Sequence, residues 1–228
     1  MEKVLIDIGH GGTDPGAVAK IKEADYTLIY GLELGKVLAS LGAEIKYSRT
    51  TDTFVSLADR AKTANQWGAK YFVSLHFNAG GGTGIETFAL APGGNAERLA
   101  KTVQASLIES TGMANRGVKF SNFQVLRDTS MPAILIEGGF VDSADAEKIK
   151  TEQYKKDFVR GASKGICAFL GLAWKDPYAV APAPAQPQPK PVDDPDVYLS
   201  VRVRTSKADK LVQDIIAMGY ACKRMDLA

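Results

Sequence analysis

Val4-Leu5-Ile6-Asp7-Ile8-Gly9-His10-Gly11-Gly12 is a short apolar run with one acid inside it, followed by glycines around a histidine. The run reads as a buried strand. The pattern that follows changes period. Over 26–41, Leu28, Ile29, Leu32, Leu34, Val37, Leu38 and Leu41 recur at helical spacing, and Gly42 closes the segment. The spacing then predicts a strand over 44–48 and a helix over 57–67, capped by Ser56 and stopped by Gly68. Strands follow over 71–75 and 85–90. Asn95 caps a helix that carries Leu99, Val103 and Leu107 on one face and ends at Gly112. A short strand is expected over 123–126 and a buried one over 133–136. Thr151 opens a last helix with Tyr154, Phe158, Ala162 and Ile166 in line. Strands alternating with helices predict an α/β fold, a largely parallel mixed sheet flanked by helices on both faces.

One break in composition divides the chain. From Asp176 to Pro195 it reads DPYAVAPAPAQPQPKPVDDP, and proline at nearly every second position favours an extended, semi-rigid spacer. The organisation expected is a catalytic domain over 1–173, a Pro/Ala-rich linker over 174–195 and a small βαβ unit over 196–228. That unit is too small to bury a core alone. Pairing with a second copy through 196–228 is the expected remedy, which makes a homodimer.

Composition narrows the function. The 228 residues are 45% hydrophobic and 24% charged, ordinary for a globular protein, and the formal net charge of +2 gives no argument for nucleic acid. Cys167 and Cys222 lie in different regions and read as two ordinary, partly buried thiols. The apolar run after Met1-Glu2-Lys3 is too short for a secretory signal, and no stretch approaches a membrane span. The expectation is a chain made in the cytoplasm without membrane insertion. Gly11-Gly12 lacks the spacing and following helix of a phosphate-binding fingerprint.

The chain has only two histidines, His10 and His76, and both are expected just past the carboxyl end of a strand. Glu137 is expected in the same position after Ala133-Ile134-Leu135-Ile136, and Glu23 opens the first long helix. Three strand ends and one helix start can meet at one edge of the sheet. Two histidines and two glutamates suit a catalytic zinc, with three protein ligands, one open position and a further carboxylate to move a proton.

The residues around these four resemble a known family. Ile6-Asp7-Ile8-Gly9-His10-Gly11-Gly12-Thr13-Asp14-Pro15-Gly16-Ala17 is similar to the opening motif of the zinc-dependent N-acetylmuramoyl-L-alanine amidases of the amidase-3 type. Further blocks follow in the family's order. They are Glu23-Ala24-Asp25-Tyr26, Arg49-Thr50-Thr51-Asp52, 57–65, Ser74-Leu75-His76-Phe77-Asn78-Ala79, Gly84-Ile85-Glu86-Thr87-Phe88, Arg116-Gly117-Val118-Lys119, Val125-Leu126-Arg127 and Ile136-Glu137-Gly138-Gly139-Phe140. The resemblance implies one zinc per chain on His10, Glu23 and His76, with Glu137 as the catalytic carboxylate. It implies hydrolysis of the amide between N-acetylmuramic acid and L-alanine in peptidoglycan, causing wall lysis. The combination resembles phage endolysins and mother-cell autolysins, which reach the wall after release from the cytoplasm.

Val141-Asp142 departs from the family, which often has serine or threonine and asparagine there. The segment between His76 and Glu137 has no room for the insertion with which some periplasmic relatives block their own zinc. The 196–228 unit resembles a SPOR-type wall-binding domain, or half of one. Two rivals stand beside the amidase: a catalytically inactive peptidoglycan-binding module, and a zinc carboxypeptidase acting within the stem peptide.

Overall fold

The computed structural model describes residues 1–179 and Lys210. The 196–228 unit (Lys210 aside), the spacer beyond residue 179, and Cys222 lie outside the described residues. The elements are β1 (Glu2–Ile8), α1 (Glu23–Ser40), β2 (Ala43–Tyr47), α2 (Leu57–Trp67), β3 (Tyr71–Asn78), β4 (Ile85–Ala89), α3 (Gly94–Thr111), β5 (Asn115–Phe120), α4 (Gln124–Arg127), β6 (Ala133–Phe140), α5 (Asp145–Ile149) and α6 (Glu152–Leu170).

The sheet order is β2-β1-β3-β6-β4-β5. β4 runs antiparallel to β6, and every other neighbouring pair is parallel. This is the mixed α/β architecture expected. Strand alternation sorts the side chains. Val4, Ile6 and Ile8 of β1 join the larger core under α1, α3 and α6. Leu5 points the other way, into a smaller core with Ala64, Phe72, Val125, Leu126 and Leu135 under α2 and α4. With both faces covered, β1 reads as a continuous apolar run.

Asp7 interrupts that run and is fully buried. A buried carboxylate needs partners. Arg60 of α2 donates to its Oδ1 at 2.8 Å and Ser74 of β3 to its Oδ2 at 2.7 Å. Removing one partner of a buried ion pair strands the other, at a cost of about 3–5 kcal/mol. Asp7→Asn should lose stability on that scale in urea unfolding at pH 7. A loss below about 1 kcal/mol, the range of an exposed pair, would contradict it. Burial raises the Asp7 carboxyl, but Arg60 and Ser74 outweigh burial and hold it below the ordinary 3.8. A carboxylate depressed on folding stabilises above its unfolded pKa and loses that contribution as pH falls through the folded value. Below about pH 4 the wild-type chain should therefore lose more stability than Asp7→Asn.

Local chemistry sets several helix ends as expected. Ser56 accepts from the Asp59 N–H at 3.1 Å, Thr151 accepts from the Tyr154 N–H at 3.1 Å, and Gly68 and Gly112 close their helices in the left-handed conformation. Other expectations need correction. Gly93, not Asn95, precedes α3, and its N–H donates back to Glu97 at 2.6 Å. Residues 123–126 are not a strand. The adjacent Val125 and Leu126 are both buried, as a helical turn allows and an alternating strand does not. The place beside β4 belongs to β5, whose half-exposed Asn115-Arg116-Gly117-Val118-Lys119-Phe120 gives no apolar signal.

The chain after α6 stays attached. The Trp174 Nε1–H donates to Ser163 at 3.3 Å, and the Tyr178 hydroxyl donates to Glu33 at 3.1 Å. Cys167 is buried, which pushes its thiol up to about 11. No helix among the described residues is long and apolar enough to cross a membrane.

Candidate active site

β1, β3 and β6 are parallel neighbours, so their carboxyl ends share one edge of the sheet. His10 stands two residues beyond β1, and Glu23 is the first residue of α1. His76 and Glu137 were expected just past their strands, but they lie within β3 and β6, opposite one another in the ladder. The strands outlast their apolar runs because main-chain groups still need partners there. Just beyond β6, the Val141 N–H still finds the Asn78 carbonyl at 2.8 Å.

Leu75, Phe77 and Ile136 point into the larger core, which turns His76 and Glu137 to the other face. Among the described residues, only α2 and α4 contribute helical residues to the core on that face. At its carboxyl edge lies a cleft of about 420 Å³, whose lining includes His10, Glu23, His76, Phe123, Gln124 and Glu137.

Within the cleft three donor atoms converge. Glu23 Oε1 lies 3.1 Å from His10 Nε2 and 3.0 Å from His76 Nδ1, and the two nitrogens are 3.1 Å apart. Glu23 is fixed by main-chain donors, Phe77 N–H to Oε1 and Ala17 N–H to Oε2, each at 3.0 Å. Burial raises its carboxyl, yet the hydrogen bonds and charges of His10 and His76 outweigh burial and hold it far below the usual range. Asp14 Oδ2 lies 2.9 Å from His10 Nδ1. A proton on Nδ1 satisfies that contact and leaves the Nε2 lone pair aimed inward, the arrangement that orients a metal ligand. Burial disfavours charge on His10, but Glu23 and Asp14 together raise its pKa. The site thus attracts positive charge. His10, Glu23 and His76 are the residues that could hold a metal ion.

The loop carrying His10 is strained and clamped. His10 has φ 59°, the only positive value among the described non-glycine residues. Arg60 donates to its carbonyl at 2.8 Å, and Arg49 donates to the Gly9 and Ile8 carbonyls at 2.9 and 3.1 Å. Both arginines are almost fully buried. Gly9 is required by contact. A Cβ there would collide with His76 Cε1 and lie 2.7 Å from the Leu75 carbonyl. Gly9→Ala should therefore displace His76 and weaken metal affinity about tenfold or more, the scale of losing a ligand's support. Competition with a chromogenic chelator measures this, and unchanged affinity would contradict it.

Glu137 faces the same cleft but makes no hydrogen bond through Oε2, which is buried without a partner among the described residues. Burial first, then the charges of Glu23 and Glu86, push its carboxyl well above the ordinary range. Glu86 lies directly opposite on β4, also buried, and is neutralised by Arg116 and Lys119. At the departure from the family pattern, Asp142 Oδ2 accepts the Gly80 and Gly81 N–H groups at 2.7 and 3.0 Å. It shapes the turn after β3.

The four expected residues are thus brought to one cleft. Asp14, and the clamp of Asp7, Arg49 and Arg60, were missed as parts of the site. The available signal was Asp7, an acid inside a buried strand that demands a cation from elsewhere.

The chain is similar to known proteins. The family described as N-acetylmuramoyl-L-alanine amidase (Amidase_3) matches residues 4–168. The sporulation-specific N-acetylmuramoyl-L-alanine amidase of Bacillus subtilis is 42% identical over 171 residues, covering 73% of this chain and 67% of that one. The endolysin of Bacillus phage SPP1 is 37% identical over 182 residues, covering 75% and 67%. The crystal structure of N-acetylmuramoyl-L-alanine amidase from Clostridium difficile 630 superposes with a TM-score of 0.73 at 37% identity, covering 75% of this chain and 97% of that one. Family match, relatives and superposition converge, and the chain belongs to the amidase-3 family of N-acetylmuramoyl-L-alanine amidases.

Proposed function

We propose that this amidase is zinc-dependent, that His10, Glu23 and His76 hold one zinc per chain, and that Glu137 carries the proton. The substrate is bacterial peptidoglycan, cut between N-acetylmuramic acid and L-alanine. The carrying observation is the set of three donor atoms only 3.0–3.1 Å apart. Zinc bonds of about 2.0–2.1 Å at tetrahedral angles put ligand atoms roughly 3.3 Å apart, so the set needs almost no movement to fit. Two imidazole nitrogens and one carboxylate oxygen are also the donor types zinc takes in hydrolases. When bound, zinc polarises a carbonyl and makes water more acidic.

The remaining work falls to the chain's own residues. Asp14 holds the His10 ring, and main-chain N–H groups hold Glu23. The raised carboxyl of Glu137 suits a group that must gain and lose a proton. Its partnerless Oε2 is the atom proposed to take the proton from the attacking water and give it to the departing amine of L-alanine.

Mass spectrometry of digested walls tests the reading. Free stem peptides beginning with L-alanine are expected. Release of a carboxy-terminal residue alone would favour the carboxypeptidase, and undigested walls the inactive binding module.

We assign the Pro/Ala-rich stretch expected over 174–195 as a spacer only beyond the attached residues Trp174 to Ala179, and 196–228 as a wall-binding or dimerising unit, on composition and pattern. Light scattering of the full chain should give a dimer, and deletion of 176–228 a monomer with weaker wall binding. A monomeric full chain at micromolar concentration would remove the dimer. We place the action at the wall after release by phage or mother-cell lysis.

A further inference from the structure

Arg116 and Lys119 crowd one oxygen. Arg116 Nε lies 2.6 Å and Lys119 Nζ 2.5 Å from the same Glu86 Oε2, while Asn78 Nδ2 donates to Oε1 at 2.9 Å. Glu86 is nearly buried, whereas the Arg116 and Lys119 side chains are 34% and 40% exposed. Neither cation has another carboxylate within ion-pair distance among the described residues. Two positive charges thus share one negative charge. Burial of Glu86 explains one cation, and the second is in excess. Like charges this close repel; solvent and the rings of Phe140 and Phe88, over which Arg116 and Lys119 lie, ease the repulsion in part, and a further anion would ease it more.

The place gives that anion an identity. His76 pairs with Glu137, and Glu137 with Glu86, so β3, β6 and β4 carry one row across the sheet. Alternation puts the row on the face of the cleft. β5, the edge strand beyond β4, supplies Arg116 and Lys119. Strands lie about 4.8 Å apart, so Glu86 sits roughly 10 Å from His76. An extended peptide advances about 3.4 Å per residue, so that distance spans about three residues. Exposed Phe123 flanks this end of the face, with its ring 5.1 Å from that of Phe88.

We propose that Arg116 and Lys119, fixed by Glu86, form a subsite for a free carboxylate of the stem peptide, two to three residues from the scissile amide. Glu86 holds the cations in place, and their exposed donors receive the substrate. This rests on the amidase reading, which supplies the peptide and its starting point at the cleft.

The test uses soluble muramyl tripeptides with free carboxylates, or amidated at the second residue, the third, or both. Binding is measured by calorimetry on the full zinc-loaded chain carrying Glu137→Gln, so that hydrolysis is not required. The free peptide should bind about tenfold tighter than the doubly amidated one, the scale of one hydrogen bond to a charged group. The singly amidated peptides identify which carboxylate is read. Adding Lys119→Gln, which leaves Arg116 to neutralise Glu86, should reduce that ratio to near one. Lys119→Arg should restore it. An unchanged ratio with Lys119→Gln, or no preference without it, would overturn the subsite. Hydrolysis by the wild-type chain is scored separately. Failure to release L-alanine-terminated peptides would remove the amidase reading, whatever the binding ratios.

Discussion

Glu137→Gln is expected to lower the rate of wall hydrolysis by roughly 10²-fold or more, the scale of general acid–base catalysis, with fold and zinc retained. The amide keeps the shape of the carboxyl but cannot take and return a proton. Little else should change, because Glu137 Oε2 has no partner to lose among the described residues. Its neighbours also favour the substitution structurally. Burial and the charges of Glu23 and Glu86 already disfavour a negative charge there, so a neutral side chain should fold at least as well. A variant with near-normal activity would move the proton chemistry elsewhere. Loss of zinc with the rate would make Glu137 a ligand instead.

His76→Ala and His10→Ala should have a larger effect still, removing most of the metal and all measurable turnover. Each takes one of the three donor atoms that lie 3.0–3.1 Å apart, and two donors cannot fill a zinc site that needs three. The two variants should differ in secondary damage. His10 sits in a strained loop held by Arg60, and alanine keeps the strain while losing the contact with Asp14. His76 lies within β3 and has no positive φ, so its loss should leave stability closer to wild type. Metal analysis and urea unfolding of both variants measure this. Full zinc occupancy in either would sink the ligand assignment.

The legible parts of the fold were those decided locally. Ser56 and Thr151 cap their helices through bonds to residues three positions away, a distance a sequence pattern can contain. Val4 to Ile8 is read as a buried strand because apolar residues fill both of its faces. β5 was not legible, because an edge strand with one covered side needs no apolar run. Residues 123–126 show the converse, since four apolar-rich residues fit a short strand or a helical turn equally well until the neighbours are known.

The site divides the same way. His10, Glu23, His76 and Glu137 could be nominated because strand ends and helix starts on one sheet edge are a topological expectation. The placement of His76 and Glu137 within β3 and β6 could not, since pairing outlasts the apolar pattern. The clamp under His10 was hidden by distance. Arg60 reaches Asp7 across 53 positions of sequence, and only the packing of α2 against β1 brings them together.

The proposed site divides its labour, with three residues to hold zinc and a fourth to move the proton. Anomalous diffraction at the zinc edge from crystals of the zinc-loaded chain tests it directly. One strong peak is expected about 2.0–2.2 Å from His10 Nε2, His76 Nδ1 and a Glu23 carboxylate oxygen, with Glu137 outside bonding distance. A peak bonded to the Glu137 carboxylate, or no peak among these residues in a chain that still digests walls, would contradict the account.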